Sequence, residues 1–224
     1  MKAMILAAGR GERMRPLTEQ TPKPLLKAGG EPLIDHVLRQ CAAAGIQDVV
    51  INVFHLGQQI IDALGDGSDY GVNIEYSIEE ELLGTGGGIV KALPKLGDQP
   101  FLALSGDVWS TYDLTNLIAK QQDLNLAHLV LVNNPDFHQK GDFHLDASQR
   151  VRLQGEPKLT YANLALLHPK LFAGKKVEFF GLGDSFRAAS ENDDVTGEHY
   201  QGSWMNVGTP AQLQQLDERL RRSA

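Results

Sequence analysis

The sequence predicts an α/β protein built on a doubly wound, mostly parallel sheet. Short apolar runs recur at Ala3 to Leu6, Val49 to Val53 and Phe101 to Leu104, each near-continuously hydrophobic, as strands buried on both faces must be. Segments with helical spacing separate them. That alternation of strand and helix sets a ligand crevice beyond the carboxyl ends of the strands.

Each element follows from its residues. The first run follows Lys2 and passes directly into Gly-rich chain without a signal-peptide cleavage region, so it reads as a buried strand. From about Pro32 to Ala44, Leu33, Ile34, Val37, Leu38 and Cys41 fall at helical spacing, and Gly45 ends the segment as a C-cap. Phe54 to Leu64 repeats the pattern with Leu56, Ile60, Ile61 and Leu64, followed by Gly65. Leu126 to Val132 and Leu164 to Leu167 read as later strands, and Ala211 to Leu220 as a closing amphipathic helix. With no internal repeat or linker, one domain over residues 1–224 is expected. The polar, turn-rich stretch Asn133 to Pro157 is suited to covering a substrate.

Composition limits the partners. The chain has no apolar run of membrane-spanning length, and 22% of its residues are charged, as in an ordinary soluble protein. The lone Cys41 has no partner for an intramolecular disulfide, and no Cys/His spacing suits zinc, which fits a reducing cytoplasm. A net charge of −7 argues against nucleic acid, because binding to a phosphate backbone needs clustered Lys and Arg. Arg10, Arg13, Arg15, Lys23 and Lys27 nevertheless lie close together in sequence, which points to a small polyanion.

The strongest local signal runs from Leu6 to Thr18 as LAAGRGERMRPLT, with Pro22-Lys23-Pro24-Leu25 shortly after. Directly after a strand, Gly9 and Gly11 let backbone N–H groups approach phosphate oxygens that a Cβ would obstruct, and Arg13 and Lys23 supply countercharge. A dinucleotide-binding turn begins similarly, but it needs a glycine where Met14 stands and an acid at the end of the second strand, where the chain has Asn52-Val53-Phe54-His55. A tight turn with solvated arginines is the bland alternative. The accompanying Pro16, Leu17, Thr18, Pro22 and Lys23 weigh against it. The third run ends in Ser105-Gly106-Asp107, which sets a carboxylate at the crevice edge, where it suits either Mg²⁺ or a turn cap.

On these residues the chain resembles the sugar-phosphate nucleotidyltransferase family, whose signature is a Gly-rich loop containing an Arg, then Pro-Leu-Thr, then Pro-Lys with a following Leu. The resemblance implies a Rossmann-like, mixed but mostly parallel sheet. It also implies that Gly9, Gly11 and Arg13 hold the nucleotide phosphates, with Ala8, Glu12 and Ser105 beside them, and that Lys23 contacts the phosphate under attack. Glu12 replaces the Thr or Ser common in the family. Arg13, Lys23 and Asp107 become the catalytic candidates, with Asp107 a ligand of the Mg²⁺ cofactor.

Further motifs extend the likeness to Pro210. Glu79-Glu80-Glu81-Leu82-Leu83-Gly84-Thr85-Gly86 matches an element that closes over the base. Gly84, Thr85 and Gly86 are therefore base-contact candidates, and Glu79 or Glu80 is an acceptor for a uracil or thymine N–H, unless these acids are simply solvated. In Trp204-Met205-Asn206-Val207-Gly208-Thr209-Pro210, Asn206 occupies the position of the family's second metal-binding aspartate, and an amide oxygen ligates Mg²⁺ without adding charge. Within a subregion of about residues 133–200, the resemblance assigns the sugar phosphate to Gly141, Gln154, Glu156, Lys158 and Asn163. The expected substrates are UTP and a sugar 1-phosphate, with neither nucleic acid nor membrane as partner. Within the family, the chain resembles a short bacterial group that makes UDP-N-acetylmuramic acid from N-acetylmuramate 1-phosphate in cell-wall recycling. Glucose 1-phosphate or mannose 1-phosphate as substrate, and a non-catalytic nucleotide-sugar-binding protein, remain as alternatives.

Overall fold

The computed structural model describes residues 1–223. In chain order, β1 (Lys2–Leu6) leads through the Gly-rich loop to a ribbon of β2 (Lys27–Ala28) and β3 (Glu31–Pro32), then α1 (Leu33–Ala43), β4 (Asp48–Val53), α2 (Gly57–Leu64) and β5 (Asn73–Ile78). Next come α3 (Gly84–Leu96), β6 (Phe101–Ser105), β7 (Val108–Ser110), α4 (Thr115–Ala119) and β8 (Ala127–Val132). The last part holds β9 (Phe143–Leu145), β10 (Val151–Arg152), β11 (Lys158–Leu167), α5 (Leu182–Ser190), β12 (Val195–Tyr200), β13 (Trp204–Asn206) and α6 (Pro210–Ser223). Among the described residues, no helix is long and apolar enough to cross a membrane.

One sheet runs in the order β5-β4-β1-β6-β11 and continues through β8 to β12. β5, β4, β1 and β6 are mutually parallel, whereas β11 is antiparallel to both β6 and β8, and β12 is parallel to β8. The sheet is thus mixed and mostly parallel. Burial on both faces explains the unbroken apolar runs. Ala3, Ile5, Ile51, Leu102 and Leu104 enter one core, while Met4, Val50, Phe101 and Ala103, their neighbours in the same strands, enter the other.

Several elements go beyond the sequence expectation. β5 is an edge strand whose residues alternate between exposed and partly covered, with only Ser77 buried, so it has no apolar run. The strand expected at Leu164 to Leu167 begins at Lys158, and a bulge between Tyr161 and Ala165 interrupts its pairing with β8. Asn163 sits in that bulge with φ of 59°, a left-handed conformation that Asn tolerates better than most residues. α3 carries Gly84, Gly86, Gly87 and Gly88 in its first turns, a composition that helix propensity disfavours.

Two ribbons shape the site. β13 pairs antiparallel with β7, with Asn206 opposite Val108, and the Val207 N–H donates to the Asp107 carbonyl at 3.0 Å. The β2–β3 ribbon contributes Ala28 to a small third core with Met14, Leu26, Leu33, Val207 and Leu216.

Candidate active site

The carboxyl ends of the parallel strands open into a cavity of about 570 Å³. Its floor is the end of β1, Leu6 to Ala8, and its wall is the loop from Gly9 to Met14. Gly11 has a φ of 63°, and its carbonyl accepts from the Met14 N–H and the Thr18 hydroxyl, each at 2.8 Å. A Cβ on Gly11 would lie 2.7 Å from Thr18 Cγ2, so glycine serves there both for conformation and for space. Gly9 has nothing within 4 Å of such a Cβ, because that position faces the open cavity.

Asn52, at the end of β4, fastens the floor to the far wall. Its Oδ1 accepts from the Ala7 N–H at 2.9 Å, and its Nδ2 donates to Glu79 Oε1 at 2.7 Å. The other Glu79 oxygen accepts from the Leu83 N–H at 3.2 Å. Burial raises the Glu79 pKa, and those hydrogen bonds only partly oppose the shift. Both oxygens of Glu79 are thus engaged in holding the wall, while Glu80 is exposed.

The N-terminus of α3 forms that wall. A Cβ on Gly86 would lie 2.1 Å from the Phe180 ring, on Gly87 2.0 Å from the Glu178 carbonyl, and on Gly88 2.7 Å from both Asn52 and Glu79. The glycines are there because backbone and rings pack against the helix too closely for any side chain. Phe180 N–H donates to the Leu83 carbonyl and Gly86 N–H to the Phe180 carbonyl, while Leu182 N–H donates to Thr85 Oγ1 at 2.8 Å. Thr85 itself lines the cavity.

At the opposite side Lys23 forms an ion pair with Asp107, both side chains being largely covered. Ser105 Oγ donates to the other Asp107 oxygen at 2.7 Å. Arg13 reaches the cavity across Gly208, where a Cβ would come within 3.1 Å of its guanidinium.

A second cavity of about 270 Å³ is lined in part by Trp204 and Asn206 of β13. Phe143, Tyr161, Phe186 and Trp204 contribute aromatic surface, and Asn163, Asn206 and Arg187 polar groups. The Trp204 indole N–H donates to the Ala162 carbonyl at 2.9 Å, which fixes its ring. Tyr161 packs edge-on against Phe186, and burial pushes its hydroxyl pKa well up. Asn206 Oδ1 is buried without a hydrogen-bond partner, a costly state for an amide oxygen.

Of the nucleotide-site residues expected from sequence, the structure brings Ala8, Gly9, Gly11, Glu12, Arg13, Lys23, Glu79, Gly84, Thr85, Ser105 and Asp107 to the first cavity. Gly86 lies buried beneath Phe180 instead. Asn163 and Asn206 line the second cavity. Gly141 packs between Asn134 and Lys158, with its N–H on the His138 carbonyl, and Gln154 and Glu156 are exposed; none of these, nor Lys158, lines either cavity. Sequence reasoning missed Asn52 and Arg187. Asn52 owes its role to partners 45 and 27 residues away, and Arg187 lies on a helix that was not foreseen.

Residues 2–153 match the family described as Nucleotidyl transferase. Over 222 residues the chain is 46% identical to the N-acetylmuramate alpha-1-phosphate uridylyltransferase of Neisseria meningitidis serogroup B, with 96% of each chain covered. It is 32% identical to the protein of the same description from Caulobacter vibrioides, covering 93% of this chain and 92% of the other. A Bacillus anthracis protein solved in complex with sucrose has the same fold, with a TM-score of 0.87 at 22% identity over 99% of this chain and 95% of the other. The chain belongs to the nucleotidyl transferase family.

Proposed function

We propose that this protein transfers UMP from UTP to N-acetylmuramate 1-phosphate, giving UDP-N-acetylmuramate and pyrophosphate, as a cytoplasmic step in the recycling of peptidoglycan. The reading is carried by one observation above the others. The β7–β13 ribbon holds Asp107 at the phosphate cavity and Asn206 at the aromatic cavity, next to each other in the fold. Two anionic substrates, one in each cavity, would meet there. The likeness to the two uridylyltransferases over nearly the whole chain supplies the identity of the substrates.

In the reaction, an oxygen of the sugar 1-phosphate attacks the α-phosphorus of UTP, the bond from that phosphorus to the β-phosphate oxygen breaks, and pyrophosphate leaves with the electron pair. Arg13 and the backbone amides around Gly9 and Gly11 hold the leaving phosphates. Lys23 moves its charge from Asp107 toward the α-phosphate. Thr85 and Gly84 border the base, and Glu79 acts through Asn52 to keep the wall at its distance from β1. The phosphate nucleophile needs little general-base help, so the protein's contribution is mostly positioning and charge.

Asp107 and Asn206 suit a magnesium ion. Both offer hard oxygen donors, and the buried, unpartnered Asn206 Oδ1 is a donor in want of a cation or a proton. When bound, Mg²⁺ supplies charge neutralisation between the two phosphates. We further read residues 1–224 as one domain with its sugar-binding part within about 133–200.

The test is pyrophosphate release with UTP and Mg²⁺, comparing N-acetylmuramate 1-phosphate, N-acetylglucosamine 1-phosphate and glucose 1-phosphate in parallel. Release with the muramate sugar in clear preference is expected. Preference for a neutral sugar would overturn the substrate and keep the chemistry, and UTP binding without release from any sugar would mark a binding protein.

A further inference from the structure

Arg187 is the one permanently cationic side chain among the described residues that line the second cavity. It projects from α5, and its guanidinium pairs with Asp184 Oδ1 at 3.0 Å, with 56% and 64% of the two side chains exposed. A pair so open to water, three residues apart on one helix, contributes little to stability and exchanges readily for a better partner. The other titratable groups of the cavity already have partners. His138 Nε2 lies 3.0 Å from Asp142 Oδ1, and the second Asp142 oxygen accepts from the Tyr161 N–H at 2.8 Å.

The surroundings favour an anion that reaches Arg187 from inside the cavity. Phe186, Tyr161, Phe143 and Trp204 line the space beside Arg187, so a bound sugar that covers these rings would also cover the guanidinium and strengthen a charge-assisted hydrogen bond made there. A guanidinium fork matches a carboxylate in two parallel hydrogen bonds. A neutral sugar has no group that requires this; a sugar bearing an acidic ether substituent does.

We propose that the Arg187 guanidinium binds the lactyl carboxylate of the sugar, so that this residue makes the enzyme select an acidic over a neutral sugar 1-phosphate. The inference rests on the reading of the second cavity as the site of N-acetylmuramate 1-phosphate. It assigns to α5 a role in specificity, separate from phosphate chemistry at Asp107.

The experiment measures kcat/KM for pyrophosphate release by the wild type and by Arg187→Gln. The two sugars are N-acetylmuramate 1-phosphate and its lactamide, in which a neutral amide replaces the carboxylate. The wild type should prefer the acid by about 10- to 100-fold, the range for a hydrogen-bonded charge pair. Arg187→Gln should lose that preference, turn over the amide as the wild type does, and keep its KM for UTP. Equal rates of the wild type on acid and amide overturn the proposal, as does a variant that slows both sugars alike or keeps the preference. In those cases turnover of N-acetylmuramate 1-phosphate by the wild type still upholds the proposed reaction. A wild type that turns over neither sugar overturns that reaction, and the role of Arg187 with it.

Discussion

Asp107 has two neighbours on its carboxylate, Lys23 and Ser105, so its replacement bears on the chemistry of the cavity and on the pairing of Lys23 together. Asp107→Ala should lower the rate of pyrophosphate release by about 10³-fold or more, since several kcal/mol of charge stabilisation disappear, and it should also lower the melting temperature, because the largely covered Lys23 loses its partner; near-normal rates would remove Asp107 from the mechanism. Asn206 makes the converse case. Asn206→Asp adds a second carboxylate near the first, so without metal the two repel each other and the variant should melt below the wild type. With Mg²⁺ the order should reverse, and half-saturation should need less metal. An identical Mg²⁺ response in both proteins would count against ligation at this position. Glu79 gives a pH-dependent test. Its folded pKa is raised above the ordinary 4.5, so the folded state binds more protons than the unfolded state just above that value. The stability this confers is full at lower pH and is lost as pH rises through the folded pKa. The melting temperature of the wild type relative to Glu79→Gln should therefore fall as the pH is raised from about 4.5 toward neutrality, and a flat difference would refute the shift. Gly9, Gly11, Arg13 and Lys23 were placed at the cavity from their spacing in sequence, whereas Asp107, which position alone left as metal ligand or turn cap, was placed there by the family resemblance. Asn52 was not legible, because its hydrogen bonds to Ala7 and Glu79 form only when β4 lies beside β1.

At the scale of elements, α3 shows where local preference loses to packing. Alanine is the better helix former by about 1 kcal/mol, so propensity alone would make Gly87→Ala stabilising. The new Cβ, however, would sit 2.0 Å from the Glu178 carbonyl, a backbone atom that can move only with its segment. Overpacking of this kind costs about 1–3 kcal/mol. Gly87→Ala should accordingly melt lower and raise the KM for UTP, since the Glu178 to Leu182 segment braces the wall that carries Gly84 and Thr85. Gly9→Ala provides the contrast. Its Cβ meets nothing within 4 Å, so stability should stay within about 0.5 kcal/mol, while the methyl group enters the phosphate cavity and weakens UTP binding. If Gly87→Ala proved as stable as the parent, the close packing of the Glu178 segment on α3 would be disproved. The same competition decided what could be read from sequence. β1, β4 and β6 announced themselves because burial on both faces leaves near-continuous apolar runs, and α1 and α6 because one buried face imposes a helical period. β5, half-covered at an edge, and α3, glycine-rich for the sake of its neighbours, have no such pattern.

Across the whole molecule, the phosphate loop near the start of the chain rests on a helix at its end. Leu216 of α6 is fully buried with Met14, Leu26 and Leu33, and Leu213 and Leu220 pack against the same group. The Gly29 N–H donates to Asp217 Oδ1 at 2.8 Å, tying the β2–β3 ribbon to that helix. Met14 anchors the short turn that presents Arg13, and Gly208, just before α6, backs the Arg13 guanidinium. A loss of packing at Leu216 therefore reaches the nucleotide through the loop rather than through the sheet. Leu216→Ala should cost about 2–5 kcal/mol of stability. At a temperature where the variant is still folded, kcat/KM for UTP should fall about 10-fold or more, because catalysis by positioning is sensitive to shifts of an ångström. The control is Leu129→Ala, an equally buried leucine on β8 in the core beneath α3 and α5. It should lose comparable stability with little change in kcat/KM for UTP, since its core contains none of Met14, Leu26 and Leu33. Equal kinetic losses in the two variants would mean that any loosening of the core disables the site, and unchanged kinetics in Leu216→Ala would mean that α6 supports the fold without holding the loop.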